Sequence, residues 1–120
     1  MRLELLCSLD QDANFVVDRD SYGMHVAIER NGIARQFEIT KYEAERVKDV
    51  MQSIMFGDRY GDEIEFENGT KLTIDERFND PCMRFEFITI NNDSDQVVHM
   101  IPDHVYKILN ELDEYVDDIA

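Results

Sequence analysis

The sequence is poor in basic residues and in long apolar runs, and each shortage excludes a class of protein. It has 12 lysines and arginines against 27 aspartates and glutamates, a net charge of −15, so its field repels nucleic acid and anionic membranes. No apolar run approaches the roughly 18 to 20 residues that a membrane-spanning helix needs, and the N-terminus lacks the basic-then-apolar order of a signal peptide. We therefore expect a cytoplasmic protein.

Cysteine is also scarce. Cys7 and Cys82 have no CxxC spacing and no histidine neighbour, so we predict buried free thiols on strands. No serine or cysteine has a general base at a diagnostic spacing, and there is no glycine-rich phosphate loop. The sequence thus predicts a protein that is not an enzyme and that needs no cofactor.

Candidate metal ligands are weak in the same way. Residues 10–14 and 91–95 each place oxygen ligands like the start of a calcium loop, but both stretches lack the glycine at position six and the glutamate at position twelve. His99 and His104 flank a strand-to-helix corner, which does not place them on one face. We predict polar connections and solvated histidines here, and no metal site.

The composition is that of a folded protein, with 43% hydrophobic and 32% charged residues among 120. A free unit of about 60 residues would be marginally stable, so two such units should share a core. We predict one domain, 1–120, built of two pseudo-repeats at 1–58 and 61–120.

The repeat is visible as apolar residues that recur 61 positions apart. The matched pairs are Phe37 and Val98, Ile39 and Met100, Ala44 and Val105, Val47 and Ile108, Met51 and Leu112, Ile54 and Tyr115, and Met55 and Val116. On the earlier strands, the same spacing matches Leu3 and Leu5 to Ile64 and Phe66, and Met24 and Val26 to Phe85 and Phe87.

Period-2 alternation predicts the strands of the first unit. They are Arg2–Leu9, a short strand at Phe15–Val17, and Met24–Arg30. Asn31-Gly32 is a strong two-residue hairpin signal, and such a turn places Val26 opposite Phe37 and Met24 opposite Ile39. Apolar residues then face apolar residues, so the hairpin is self-consistent.

The first helix is bounded by clear signals. Thr40 and Glu43 form a capping box that begins the helix, which runs to about Phe56 and is stopped by Gly57. In the second unit, Pro102 begins the final helix at its first position.

The second unit repeats the order of the first, with strands at 82–90 and 96–101. Its turn at Asn68-Gly69 departs from a simple two-residue loop. A three-residue loop or a bulge there would place Phe66 opposite Leu72 and Ile64 opposite Ile74. We predict such a loop.

The final helix has one apolar stripe and one acidic face. The stripe is Val105, Ile108, Leu109, Leu112, Tyr115, Val116 and Ile119. Glu111, Asp113, Glu114, Asp117 and Asp118 form the other face. Like charges at i, i+4 and carboxylates in the last turn each destabilise a helix slightly, so solubility or a partner must favour them.

The fold class predicted is α+β, a tandem duplication of a β-β-β-β-α unit in which each antiparallel sheet is packed by one helix. In topology, two such units in tandem resemble the Whirly single-stranded-nucleic-acid-binding fold, and one unit resembles the PC4 coactivator fold. The resemblance implies a nucleic-acid-binding function. The basic residues of this sequence that come nearest to a nucleic-acid-binding motif are Arg19, Arg30, Arg35 and Lys41, and they are scattered among acidic residues.

Four phenylalanines are candidates for a base-stacking platform: Phe66, Phe78, Phe85 and Phe87. Alternating aromatics on strands are more often core residues, and stacking platforms normally accompany a positive groove. We predict that these rings belong to the core.

The acidic residues are concentrated in the second half, which has 4 basic and 16 acidic residues, against 8 and 11 in the first. Such a cluster is either a solubilising face or a surface that complements a cationic partner. The partner-binding candidates are Glu63, Glu65, Glu67, Asp75, Glu76, Glu111, Asp113, Glu114, Asp117 and Asp118.

Our leading hypothesis is therefore an acidic binding protein, monomeric or homodimeric, that engages a basic protein such as a nuclease, as an inhibitor, immunity protein or nucleic-acid mimic. The alternatives are a single-stranded-nucleic-acid-binding domain and a structural subunit of a homo-oligomer.

Overall fold

The computed structural model describes residues 2–9, 12–20, 23–30, 32–67, 69–77, 82–88 and 96–117. The elements are β1 (Arg2–Leu6), β2 (Ala13–Arg19), β3 (Met24–Arg30), β4 (Ile33–Ile39), α1 (Lys41–Met55), β5 (Gly61–Glu65), β6 (Lys71–Arg77), β7 (Cys82–Ile88), β8 (Gln96–Met100) and α2 (Pro102–Asp117). Strands β1 to β4 form one antiparallel sheet and β5 to β8 another, each followed by its helix. The predicted duplicated β-β-β-β-α fold is confirmed.

The β3–β4 hairpin has the register that its turn predicts. Met24 lies opposite Ile39 and Val26 opposite Phe37. Gly32 has a φ of 78°, the left-handed conformation that a two-residue hairpin turn requires.

Both ends of α1 follow the predicted signals. Thr40 accepts a hydrogen bond from the Glu43 backbone N–H, and the Glu43 carboxylate accepts one from the Thr40 N–H, at 3.1 and 2.9 Å. At the other end, the Asp58 N–H donates to the Ser53 carbonyl at 2.8 Å, and Gly57 has a φ of 80°. This is a Schellman motif, which satisfies carbonyls that the last turn would leave exposed.

The first two strands differ in length from the prediction. β1 ends at Leu6 and not at Leu9, because the chain then turns toward the other unit, where the Ser8 N–H donates to the His99 carbonyl at 2.8 Å. β2 runs over Ala13–Arg19 and not only Phe15–Val17. As an inner strand it is paired along its whole length, so its polar end residues are included in the sheet.

The turn between β5 and β6 has the predicted longer loop, with different partners. Residues 67–69 separate Phe66 from Thr70, whose carbonyl accepts a hydrogen bond from the Phe66 N–H at 2.8 Å. Ile64 consequently lies opposite Leu72, so the predicted pairs Phe66 with Leu72 and Ile64 with Ile74 were wrong. Apolar still faces apolar, because a shift of two residues keeps the same face of the sheet.

Not all strands of the two units correspond at the offset of 61 residues that relates the two helices. Met24 pairs with Ile39, and Met83 pairs with Met100, so the counterpart of Met24 is Met83 and not Phe85. By the same reasoning along the sheets, Leu5 corresponds to Ile64 and not to Phe66. The spacing of 61 holds for the last strand and the helix. For the earlier strands, the spacing between corresponding residues of the two units differs from 61 by an even number of residues, because the connections differ in length.

Buried side chains from both units form one hydrophobic cluster. The rings of Phe15 and Phe85 lie 5.1 Å apart between centroids, one from each sheet. α1 packs on α2, and β8 packs on β2 and β3. Cys7 is a buried free thiol, as predicted, although it lies just after β1 and not on a strand, and its sulfur accepts a hydrogen bond from the His99 N–H at 3.2 Å. The side chain of Cys82 lies outside the described part.

The apolar stripe of α2 faces this core. Its buried members are Val105, Ile108, Leu109, Leu112 and Tyr115, and Val116 is partly buried. Ile119 lies outside the described residues. Among the described helices, neither is both long and apolar enough to cross a bilayer.

Candidate acidic interaction surface

The acidic face of α2 is partly neutralised by cations of the first unit. Lys48, in the middle of α1, donates to Asp113 at 2.9 Å. Arg19, at the end of β2, donates to Glu114 at 2.7 Å and lies 3.5 Å from the carboxylate of Glu111. The like charges along α2 are therefore tolerated because the first unit supplies opposite ones.

Glu111 differs from the other predicted acids, because only 6% of its surface is exposed. Its Oε2 is buried and accepts no hydrogen bond from the described residues, although Arg19 Nε lies within ion-pairing distance. Burial places this carboxylate at the edge of the core, and its main contact is internal.

Lys48 is the centre of a small acidic group. The hydrogen bond that Lys48 donates to Asp113 raises the pKa of Lys48 above its usual value, and the charges of Asp113, Asp117 and Asp49 raise this pKa further, against the opposing effect of burial. Of these carboxylates, Lys48 is in contact with Asp113 alone, and three carboxylates acting on one ammonium leave an excess of negative charge. We call Asp49, Asp113 and Asp117 the helical acidic cluster.

The predicted acids of the second sheet divide into paired and unpaired groups. Arg84 donates to both oxygens of Asp75, the shortest contact being 2.7 Å, and lies 3.3 Å from Glu86. Glu63 lies 3.4 Å from Lys71. The Arg84–Asp75 and Lys71–Glu63 pairs join adjacent strands on the outer face of the sheet, so they stabilise strand pairing as well as offset charge.

Three predicted acids remain exposed: Glu65 on β5, Glu67 in the loop after it, and Glu76 near the end of β6. Their carboxylates form no ion pair with the parts of the chain that the structure describes. Asp118 lies outside the described residues. The structure thus separates the predicted site into a helical part and a part on β5 and β6.

A polar concavity of about 510 Å³ lies beside Glu67, between the two units. Its lining comes from β4, α1, the β5–β6 loop and α2: Glu38, Ile39, Thr40, Glu43, Phe66, Glu67 and Tyr115. The buried Glu43 carboxylate also accepts a hydrogen bond from the Glu67 N–H at 3.0 Å. The capping box predicted the local role of Glu43, whereas this link to the second unit could not be found from spacing.

Tyr115 forms one wall of the concavity. Its hydroxyl donates to the Ile39 carbonyl at 3.2 Å, and Lys41 Nζ lies 5.8 Å from its ring centroid. Burial, followed by the negative charge of Glu38, raises the pKa of Tyr115 above its usual value.

A second depression, of about 270 Å³, lies between the helices, and we call it the interhelical groove. Its lining residues are Gln52, Met55, Phe56, Tyr106, Leu109, Asn110 and Asp113. Phe56 and Tyr106 are exposed by 79% and 56%. Sequence reasoning did not select these two residues. The signal that could have identified them is that both are aromatic residues outside the apolar stripes of the helices.

The features expected of a nucleic-acid-binding face are weak in the described residues. Arg2, on the outer face of the first sheet, lies within ion-pairing distance of Glu4, Asp18 and Glu29, which offset its charge. Of the candidate stacking phenylalanines, Phe66 and Phe85 are buried in the core, as predicted. Phe78 and the side chain of Phe87 lie outside the described part.

Metal ligands are dispersed in the same way. His99 lies on β8 and His104 in the first turn of α2; both are partly buried, with Nε2 of His99 and Nδ1 of His104 shielded from solvent, so the prediction of solvated histidines was wrong. No group of three or more His, Cys, Asp or Glu side chains within the described ranges is arranged to hold a metal ion. Residues 10, 11 and 91–95, which carry most of the two calcium-like stretches, lie outside those ranges.

Comparison with known proteins gives no family: no protein-family profile matches the chain, and no curated protein matches it significantly.

Proposed function

We propose that this protein is a non-enzymatic acidic binding protein that engages a basic protein partner, acting as an inhibitor, an immunity protein or a nucleic-acid mimic. The observation that carries the proposal is the imbalance left after internal pairing. Arg2, Arg19, Lys48 and Arg84 are each shared by two or more nearby carboxylates. With 27 acids and 12 basic residues, pairing every cation once would still leave 15 carboxylates for a partner.

The distribution of the excess supports a surface and not only a solubilising charge. In the helical acidic cluster, Lys48 pairs with Asp113 and also experiences the charges of Asp49 and Asp117. Glu65 on β5, Glu67 in the following loop and Glu76 on β6 are exposed and form no ion pairs among the described residues. Complementary fields of this kind raise association rates and select partners by charge.

The test is binding of a fluorescein-labelled arginine- and lysine-rich peptide, followed by anisotropy over a salt series. We expect binding at low salt that weakens steeply as the salt rises, because the Debye length falls to about 10 Å at 0.1 M. A labelled single-stranded oligonucleotide is measured beside it. Binding of the oligonucleotide in preference to the peptide would favour the nucleic-acid alternative and contradict the proposal.

Any protein of this net charge attracts cations weakly, so matched variants are needed to locate the site. Asp113→Asn with Asp117→Asn removes two charges from the helical acidic cluster, and Asp18→Asn with Glu29→Gln removes two from the first sheet. We expect the first double variant to weaken peptide binding about tenfold and the second to have a smaller effect. Equal losses would mean diffuse attraction without a binding surface.

A further inference from the structure

The interhelical groove combines an apolar end and an acidic end. Lys48 pairs with Asp113, while Phe56 and Tyr106 line the groove at its other end, so α1 and α2 run antiparallel along it. Met55 and the nearly buried Leu109 complete the apolar end.

The two aromatic rings at this end face solvent although a core lies beside them. An isolated exposed apolar side chain is ordinary, but two large ones lining one depression are typical of an interaction site. Aromatic residues also supply much of the binding energy in protein interfaces. Tyr42, exposed by 73%, lies in the first turn of α1 and does not line the groove, so it is a matched comparison.

The acidic end lies at a fixed distance from the aromatic end. Asp113 follows Tyr106 by seven residues on α2, about 10 Å along the helix axis. Asp113 lines the groove, and Asp49 and Asp117 act on the same Lys48 ammonium. A ligand that lies along the groove therefore contacts aromatic rings at one end and lies near excess carboxylates at the other end, two helical turns away.

This arrangement selects between possible occupants. A second copy of the chain in the groove would bring together two molecules that each carry a net charge of −15, and such like charges repel. A basic partner would instead gain attraction at the acidic end. Charge complementarity therefore favours a cationic segment with an apolar anchor.

We propose that the interhelical groove binds an amphipathic basic segment of the partner, which inserts an apolar side chain between Phe56 and Tyr106 and places a lysine or arginine against the helical acidic cluster. This inference rests on the proposed function and adds to it the location of the contact and the chemistry of the segment.

The test uses two fluorescein-labelled peptides of about 15 residues with identical lysine and arginine positions. One carries leucines about seven residues from an arginine pair on the same helical face, and the other carries serines in place of the leucines. Anisotropy gives their affinities for the full chain, and amide chemical shifts locate the contact. We expect the leucine peptide to bind about tenfold tighter or more, with shifts along the groove.

Variants of exposed residues keep the test independent of folding. Phe56→Ala should reduce the advantage of the leucine peptide about tenfold, whereas Tyr42→Ala should leave it unchanged. Asp113→Asn should weaken both peptides and reduce the salt dependence of binding.

The outcomes separate the two proposals. If both peptides bind equally, with salt dependence, and Phe56→Ala has no effect, the groove inference is overturned and the proposed function stands. If neither peptide binds at low salt, the proposed function fails and the inference fails with it. If sedimentation shows a dimer that Phe56→Ala converts to monomer, a second copy occupies the groove and the basic-segment proposal is wrong.

Discussion

The two helices hold matching positions in the chain order of the two units but are stabilised by different interactions. α1 begins at a capping box and ends in a Schellman motif, so its termini are satisfied locally. α2 begins at Pro102 after Ile101, whose side chain cannot accept a capping hydrogen bond, and its carboxylates pair with Arg19 and Lys48 of the first unit.

The difference indicates a division of roles between the duplicated units. The first unit supplies cations and locally capped structure, and the second unit carries most of the acidic residues and pairs three carboxylates of α2 with those cations. In this arrangement the acidic residues are tolerated because the two units pack together.

The largest expected effect on stability comes from removing the buried aromatic ring of either sheet, which tests whether the two units depend on each other. Phe15→Ala and Phe85→Ala should each cost about 3 to 5 kcal/mol in free energy of unfolding, because each leaves a cavity in the shared core. Urea unfolding followed by circular dichroism should show one transition for both variants. Two separate transitions would mean that the units fold independently; the milder Phe15→Leu keeps the test usable if Phe15→Ala does not fold.

The dependence of α2 on the first unit is tested at Arg19. Arg19→Ala leaves the buried Glu111 carboxylate without its cation, and we expect a loss of roughly 2 to 3 kcal/mol in urea unfolding. Adding Glu111→Gln should recover part of this loss.

The control uses the other partner of the same arginine. Glu114→Ala removes an exposed carboxylate and should cost less than about 0.5 kcal/mol. Equal effects of Glu114→Ala and Arg19→Ala would show that burial of Glu111 does not determine the cost.

Because the two helices have different N-cap residues, substitutions at these two positions should have opposite effects on stability. Thr40→Ala should destabilise by about 1 kcal/mol, because it removes half of the capping box. Ile101→Thr adds an acceptor at the equivalent position of α2 and should stabilise by a few tenths of a kcal/mol to about 1 kcal/mol. Thermal unfolding measures both; a loss with Ile101→Thr would show that the partly exposed Ile101 contributes more through packing.

The smallest expected effect is a loss of stability at alkaline pH. The folded state raises the pKa of Tyr115 above 10.0, so the neutral phenol is favoured on folding. Its contribution is fully present below the unfolded pKa of about 10 and is lost as the pH rises through the folded pKa. Lys48, whose pKa is also raised, follows the same sign.

Urea midpoints measured from about pH 8 to pH 11 should therefore fall, and Tyr115→Phe should flatten the decline. Tyr106→Phe, at an exposed tyrosine, is the control and should leave the slope unchanged. A wild-type midpoint independent of pH across this range would contradict the assignment.

Sequence reasoning was accurate for interactions between residues close in the chain and less accurate for those between distant residues. The capping box at Thr40, the stop at Gly57 and the register of the β3–β4 hairpin depend on neighbouring residues, and all were predicted. The strand alignment between the units was wrong by two residues, because loop lengths absorb whole pleat periods without changing which face is buried.

The sequence by itself determined the duplicated fold and the excess of negative charge, because period, turn chemistry and composition are local or summed properties. Only the tertiary structure decided which acids are paired, buried or exposed. The Arg19, Lys48 and Glu43 contacts join residues distant in the chain, and Phe56 and Tyr106 line one groove only because α1 packs on α2. Such pairings depend on how the two units meet, which no spacing within either unit specifies.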